Sequence, residues 1–185
     1  MPKKIAVEFI ENFLVVWNPA EGSELYKMGY YGKPLGIAKP KIPEFNVPLI
    51  LDLMEGLYLA EREIITVYEG PEKTKVTLKK LRQKIKQLYE EFEEKYAVYH
   101  DLRESGLIVT PGIKFGCDFA VYKQGPGQEH APYMVSVKKA NSEITATEVV
   151  KAGRLATTVR KRFIVAVPEL EKGKTQYLIF KWFKA

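Results

Sequence analysis

Residues 112–137, GIKFGCDFAVYKQGPGQEHAPYMVSV, constrain the fold more than any other stretch of this chain. Phe115, Cys117, Phe119 and Val121 alternate with Gly116, Asp118, Ala120 and Tyr122, the period of two that gives a strand one core face. On that count a strand covers residues 114–123, and Tyr122 points away from its apolar side. Gly125-Pro126-Gly127 ends it, because glycine accepts positive φ and proline cannot continue a ladder. A second strand follows over residues 133–139. The turn delivers His130 just ahead of it, so a tyrosine at one strand end and a histidine on the adjoining loop can face one cleft.

Upstream, residues 5–17 hold two β-rich pieces, AVEFI and FLVVW, and residues 24–31 suit a short helix ending at Gly32. Residues 33–48, KPLGIAKPKIPEFNVP, hold four prolines and cannot form regular helix or central strand. This loop carries Lys39 and Lys41, which become candidate contacts to a polyanion. Apolar residues at three- and four-residue spacing predict helices over 48–63 and 77–96. The second has its basic residues first and its acidic residues last, against the helix dipole.

Beyond residue 96 the pattern changes to a short helix, strands at 107–110, 114–123 and 133–139, then a long helix opened by Thr145-x-x-Glu148. That pair is a capping-box pattern. An apolar strand over 162–167 and a last strand over 176–183 close the chain. The reading is therefore α+β or α/β, with a small N-terminal α+β domain over residues 1–93. A C-terminal mixed-sheet domain with a restriction-nuclease-like core covers 94–185.

Composition narrows the class. Apolar residues at 46% support a real core. No apolar run reaches membrane-spanning length, and the N-terminus has no signal-peptide pattern. One cysteine excludes an internal disulfide, and two histidines leave little for a zinc site, so neither metal nor cofactor is expected and the compartment reads as a reducing cytoplasm. The net charge of +6 lies wholly in residues 96–185, which carry 14 Lys and Arg against 8 Asp and Glu. A positive half points to a polyanionic partner.

The segments HDLRESGLIVTPGIKFGCDFAVYKQGPGQEHAPYMVSV and AGRLATTVRKRFIVAV resemble the catalytic domain of the archaeal tRNA-splicing endonucleases. LYKMGYYGKPLG and LILDLMEGLYLAERE resemble the family's N-terminal domain. DFAVY, GPGxxH and VRKR, in that order and spacing, carry the resemblance together; none is specific alone. The resemblance implies a metal-independent cut of precursor tRNA at a bulge-helix-bulge, leaving a 2′,3′-cyclic phosphate and a 5′-hydroxyl. It assigns the work to Tyr122, His130 and Lys161. It further implies that a flipped bulge base is held by Arg154 and by Trp182.

These residue types suit the chemistry. The attacking 2′-hydroxyl must lose a proton, the leaving 5′-oxygen must gain one, and charge accumulates on the phosphorane. A histidine, with an ordinary pKa of about 6.5, holds a proton for the leaving oxygen near neutrality. A tyrosine is an awkward base, ionised in roughly one molecule in a thousand at pH 7, unless Lys161, Lys123 or Arg160 lowers its pKa. Lys161 would then stabilise the phosphorane as a fixed charge. Stacking of an unpaired base between a guanidinium and an indole is sequence-tolerant.

Two features bear on assembly. In self-assembling members of the family an acidic loop joins the last two strands; here PELEKGKTQ offsets Glu169 and Glu171 with Lys172 and Lys174. The insertion at 33–48 resembles that of catalytic subunits that pair with a structural subunit. Both favour an α2β2 heterotetramer, with a homotetramer as the alternative. Two other function classes compete. A magnesium nuclease would need a second acid near Asp118, where Val121 stands. A non-catalytic RNA-binding subunit would lack one of Tyr122, His130 and Lys161.

Overall fold

The structure, a computed structural model, describes residues 3–38, 40, 42–158 and 161–180. The chain divides into two compact units, Met1–Glu90 and Glu91–Ala185.

In the first unit, β1 (Ile5–Ile10) and β2 (Phe13–Val16) form a hairpin, followed by α1 (Pro19–Gly29) and β3 (Lys33–Pro34). Then come β4 (Leu49–Leu51), α2 (Leu53–Glu61), β5 (Ile65–Glu69), β6 (Thr74–Lys75) and α3 (Leu78–Leu88). The sheet order is β3-β4-β2-β1-β5-β6, with β1 and β5 parallel.

Three elements that begin in this unit differ from the periodic reading. The helix expected over 48–63 begins as β4, because Asp52 takes an extended conformation and accepts from the Met54 amide at 2.9 Å as an N-cap. The buried Glu55 completes the capping box on the Asp52 amide and also accepts from Gly32 at 3.0 Å, tying the start of the proline-rich loop to α2. Within α2, a Cβ on Gly56 would lie 2.0 Å from Leu14 Cδ1, so any larger residue there would have to displace the buried Leu14 side chain of β2.

The helix expected over 77–96 is two. Tyr89 leaves α3 in an extended conformation and its hydroxyl donates to Asp52 at 2.7 Å. Glu91 then adopts a left-handed φ of 54° and a new helix begins at Phe92. Three of the out-of-order basic residues of α3 have partners elsewhere. Lys80 and Lys84 reach Glu69 at 3.2 and 2.6 Å, and Arg82 reaches Glu61 at 3.3 Å. The helix expected over 24–31 starts earlier, at Pro19, where Asn18 caps the Ala20 and Glu21 amides.

The second unit contains α4 (Phe92–Glu104), β7 (Ile108–Pro111), β8 (Phe119–Tyr122), β9 (Tyr133–Val137), α5 (Ala146–Thr158), β10 (Arg162–Glu169) and β11 (Lys174–Phe180). The order is β11-β10-β9-β8-β7, antiparallel except for β9 and β10. The sheet is mixed because α5 is the crossover between the parallel pair. The Thr145–Glu148 capping box is present: the Glu148 amide donates to Thr145 Oγ1 at 3.2 Å, and the Thr145 amide to Glu148 Oε2 at 2.9 Å. The strand expected over 114–123 is shorter. Residues Ile113–Phe115 make a 3₁₀ turn closed by Gly116 at φ 67°, and pairing with β9 begins at Phe119.

Alternation along β8, β9 and β10 sends residues to two faces. Phe119, Val121, Val135 and Ile164 lie on the face that α4 covers, where Tyr99 meets the Phe119 ring with centroids 6.0 Å apart. The other face carries a smaller cluster of Cys117, Ala120, Ala131, Met134, Phe163 and Val165.

Candidate active site

The register of three strands brings the sequence candidates to one end of the sheet. Val121 pairs with Tyr133, and Tyr133 pairs with Arg162. One residue further out, Tyr122 is level with Pro132 and Lys161, and the Arg162 amide donates to the Pro132 carbonyl at 2.8 Å. Tyr122 and Lys161 therefore stand about two strand spacings apart, roughly 10 Å, on either side of the residue that follows His130-Ala131. By alternation they share the face of Ala120 and Phe163. Tyr122 packs on the small cluster of that face and is half-buried.

Lys161 lies at the edge of the same cluster, its Nζ 3.8 Å from the centroid of the Phe115 ring. An ammonium over an aromatic face is attracted by the ring quadrupole, which fixes where the charge sits. Burial pushes the Lys161 pKa down, partly opposed by Cys117. Next to it, Arg162 stands 6.0 Å over the Tyr133 ring. The start of β10 thus presents two positive groups, which alternation sends to opposite faces of the sheet.

His130 is exposed on the loop between β8 and β9. That loop is shaped by its backbone and by one side chain. Gly125 at φ 118° and Gly127 at φ 90° occupy conformations that side chains strain to adopt. The Gly125 carbonyl accepts from Gln128 and Glu129, both at 3.2 Å. Glu129 Oε1 accepts from the Lys123 and Gln124 amides at 2.5 and 2.6 Å. The backbone donors, Gln124 first, hold the Glu129 carboxyl below the ordinary carboxylate range.

The phenol of Tyr122 is shifted opposite to the expectation from charge pattern. Burial raises its pKa, the Glu129 charge raises it further, and a hydrogen bond with the Thr110 side chain acts the other way. Among the described residues no cation enters these causes. Burial is the first of them, and Lys161 stands two strands away over Phe115. Arg160 lies outside the described residues.

Of the remaining candidates, Arg154 is exposed on α5, one turn before the helix end. A crossover helix runs against its parallel strands, so that end approaches the edge holding Lys161. Trp182, Lys39 and Lys41 lie outside the described residues. Thr110, Phe115 and Glu129 were not candidates from sequence. Only Glu129 carried a signal, its adjacency to His130.

A cavity of about 400 Å³ opens on the same sheet face, lined in part by Cys117, Asp118, Ser136, Lys138 and Glu148. None of Tyr122, His130 and Lys161 lines it, and its charged groups are engaged within the unit. Asp118 pairs with Lys95 at 3.2 Å and accepts from the Val137 amide at 2.8 Å; Glu148 pairs with Lys138. Among the described residues no three of His, Cys, Asp and Glu gather as metal ligands would.

Residues 92–177 match the family model of the tRNA intron endonuclease catalytic C-terminal domain, and residues 5–82 that of the tRNA intron endonuclease N-terminal domain. A tRNA-splicing endonuclease of Hyperthermus butylicus is 45% identical over 170 residues, covering 92% of this chain and 93% of that one. One of Sulfurisphaera tokodaii is 42% identical over 178 residues, covering 96% and 98%. One of Saccharolobus islandicus is 40% identical over 172 residues, covering 92% and 94%.

Proposed function

Because the chain belongs to the tRNA intron endonuclease family and carries that family's catalytic domain, we propose that it cleaves precursor tRNA at bulge-helix-bulge motifs by transesterification, with Tyr122, His130 and Lys161 as its catalytic residues. The observation that carries the assignment is the row Tyr122–Pro132–Lys161 at one end of three adjacent strands, with His130 on the loop that enters it. A tyrosine and a lysine about 10 Å apart can flank one phosphodiester.

Tyr122 takes the proton of the 2′-hydroxyl as it attacks the adjacent phosphorus. The raised phenol makes the ionised base scarce but strong, so its proton affinity suits an alcohol better than an ordinary tyrosinate would. His130 donates a proton to the departing 5′-oxygen, and its exposure suits a group that must meet a bulky substrate. Lys161, partly desolvated over Phe115, stabilises charge on the phosphorane without reorganising. The products are a 2′,3′-cyclic phosphate and a 5′-hydroxyl, and no external water is consumed. Arg154, Trp182, Lys39 and Lys41 are proposed to contact the RNA.

A magnesium-dependent cut finds less support. The Asp118 carboxylate is occupied by Lys95 and the Val137 amide, and the position for a second acid holds Val121, buried in the core. No helix among the described residues is long and apolar enough to cross a membrane. The cytoplasm, the expected compartment, is where such a substrate would be met.

We also propose an α2β2 heterotetramer with a structural subunit. The loop between β10 and β11 supports it, because Glu169 is engaged within its own loop. It pairs with Lys172 at 2.5 Å and accepts from Gln176 Nε2 at 2.5 Å, leaving little net acid to offer a partner. The mass in solution of the purified chain, with cleavage of a bulge-helix-bulge RNA in excess chelator, tests both proposals. A dimer or monomer that cuts without metal only when a second subunit is added is expected. A homotetramer that cuts alone would overturn the heteromer, and cleavage only with magnesium would overturn the mechanism.

A further inference from the structure

The nine residues from Tyr122 to His130 include two glycines, and pairing of β8 with β9 stops at Val121 and Tyr133. Tyr122 still pairs with Ile108 of β7 and the Pro132 carbonyl accepts from the Arg162 amide, but no strand pairing holds residues 123–131. The Lys123 and Gln124 amides, the first beyond β8, donate to Glu129 Oε1 at the opposite end of the loop. Glu129 immediately precedes His130, so one carboxylate joins the exit from Tyr122 to the entry of His130. The Gly125 carbonyl, accepting from Gln128 and Glu129, closes the interior of the same loop.

Glu129 lies at the surface, makes no contribution to either core cluster, and is held below the ordinary carboxylate range mainly by the backbone donors it binds. We infer that Glu129 is a positioning residue of the proposed reaction, clamping loop residues 123–129 so that His130 is presented at a fixed place beside Tyr122. This rests on the reading of His130 and Tyr122 as catalytic. The physical case is that a general acid works only within hydrogen-bond reach of its oxygen, and a displacement of about 1 Å can cost 100-fold in rate. A tether with two glycines would sample many such displacements without a clamp.

Single-turnover cleavage of a bulge-helix-bulge precursor tRNA by the full chain in its active assembly is the test. Glu129→Ala removes the acceptor, and the rate is expected to fall roughly 10- to 100-fold with little change in the RNA concentration giving half-maximal rate. Glu129→Gln keeps an acceptor oxygen of the same reach and is expected to return the rate to within several-fold of wild type. A Gln variant as slow as the Ala variant would overturn the clamp, as would an Ala variant at full rate.

In His130→Ala, with activity restored by dissolved imidazole, Glu129→Ala should cause no additional loss, because free imidazole is not carried by the loop. An equal loss in that background would overturn the inference and place the effect in folding or in Tyr122. If His130→Ala itself cleaves at full rate, the catalytic reading fails, whatever Glu129 does. If His130→Ala is inactive while Glu129→Ala is unimpaired, only the positioning role fails.

Discussion

On one face of the C-terminal sheet, Phe119, Val121, Val135 and Ile164 meet α4; on the other, Ala120, Met134, Phe163 and Val165 form a smaller cluster that ends at Tyr122 and Lys161. The same three strands supply both. The α4 face is closed, and even its buried Arg103 is engaged, donating to the Tyr99 hydroxyl at 3.0 Å and to the Val109 carbonyl at 2.9 Å. The other face thins towards the strand ends, leaving a half-buried phenol and a partly buried ammonium. Such groups are desolvated enough to have shifted pKa values and open enough to meet a substrate. Strand alternation therefore separates stability from reactivity, with neighbours in sequence such as Val121 and Tyr122 serving different purposes.

Substitutions on the two faces should break different properties. The largest effect is expected from His130→Ala, which should slow single-turnover cleavage by about 10²- to 10⁴-fold and leave the melting temperature unchanged, as befits an exposed side chain. An unaltered rate would remove the general acid from the account. On the closed face, Phe119→Ala should cost about 3–5 kcal/mol of stability by denaturant unfolding. Its cleavage rate per folded molecule should stay near wild type. A specific loss of rate in this variant would mean that the faces are not separable.

The acid–base pair sharpens the comparison. With a tyrosine base that must be ionised and a histidine acid that must be protonated, the alkaline limb of the rate profile belongs to the phenol. Because burial and Glu129 raise that pKa, the limb should fall above the ordinary tyrosine value of about 10, and Glu129→Gln should move it to lower pH. Uncatalysed RNA cleavage measured in parallel supplies the baseline. A limb below 10 would show that a cation dominates the phenol after all.

The smallest effect concerns stability alone. Glu148, at the start of α5, is depressed to about 2 by Lys138 first and then by the Thr145 amide. A carboxyl whose folded pKa is lowered stabilises above its unfolded value, near 4.3, and loses that contribution as pH falls towards 2. Glu148→Gln should therefore cost about 0.5 kcal/mol at neutral pH, and the difference from wild type should vanish near pH 2. Thermal melts from pH 7 to pH 2 measure it.

Much of this molecule was legible in its sequence where one local signal decided the outcome. Alternation marked β8, Gly125-Pro126-Gly127 ended it, Thr145 and Glu148 capped α5, and the apolar run from Phe163 marked β10. The readings failed where a tertiary contact overrode the period. Leu81, Ile85, Leu88 and Phe92 continue one helical stripe, yet the chain breaks at Tyr89, whose hydroxyl binds Asp52 37 residues away. Likewise Phe115 and Cys117 keep the strand alternation, but Gly116 takes a left-handed conformation and turns Phe115 under Lys161. Glu129 was illegible for another reason. A loop carboxylate binding backbone amides leaves no periodic trace, and the burial that chiefly raises the Tyr122 phenol, with Glu129 adding to it, is a tertiary property that the nearby lysines in the sequence did not reveal.

One measurement addresses the division of labour among Tyr122, His130 and Lys161 most directly. It is the single-turnover cleavage, by wild type, His130→Ala, Tyr122→Phe and Lys161→Ala in the active assembly, of a bulge-helix-bulge RNA whose leaving 5′-oxygen is replaced by sulfur. A thiolate, with a conjugate-acid pKa near 8.5, leaves without the proton that an alkoxide requires. The account predicts that His130→Ala cleaves this substrate at close to the wild-type rate, while Tyr122→Phe and Lys161→Ala remain slow. A His130→Ala variant as defective on sulfur as on oxygen would contradict it.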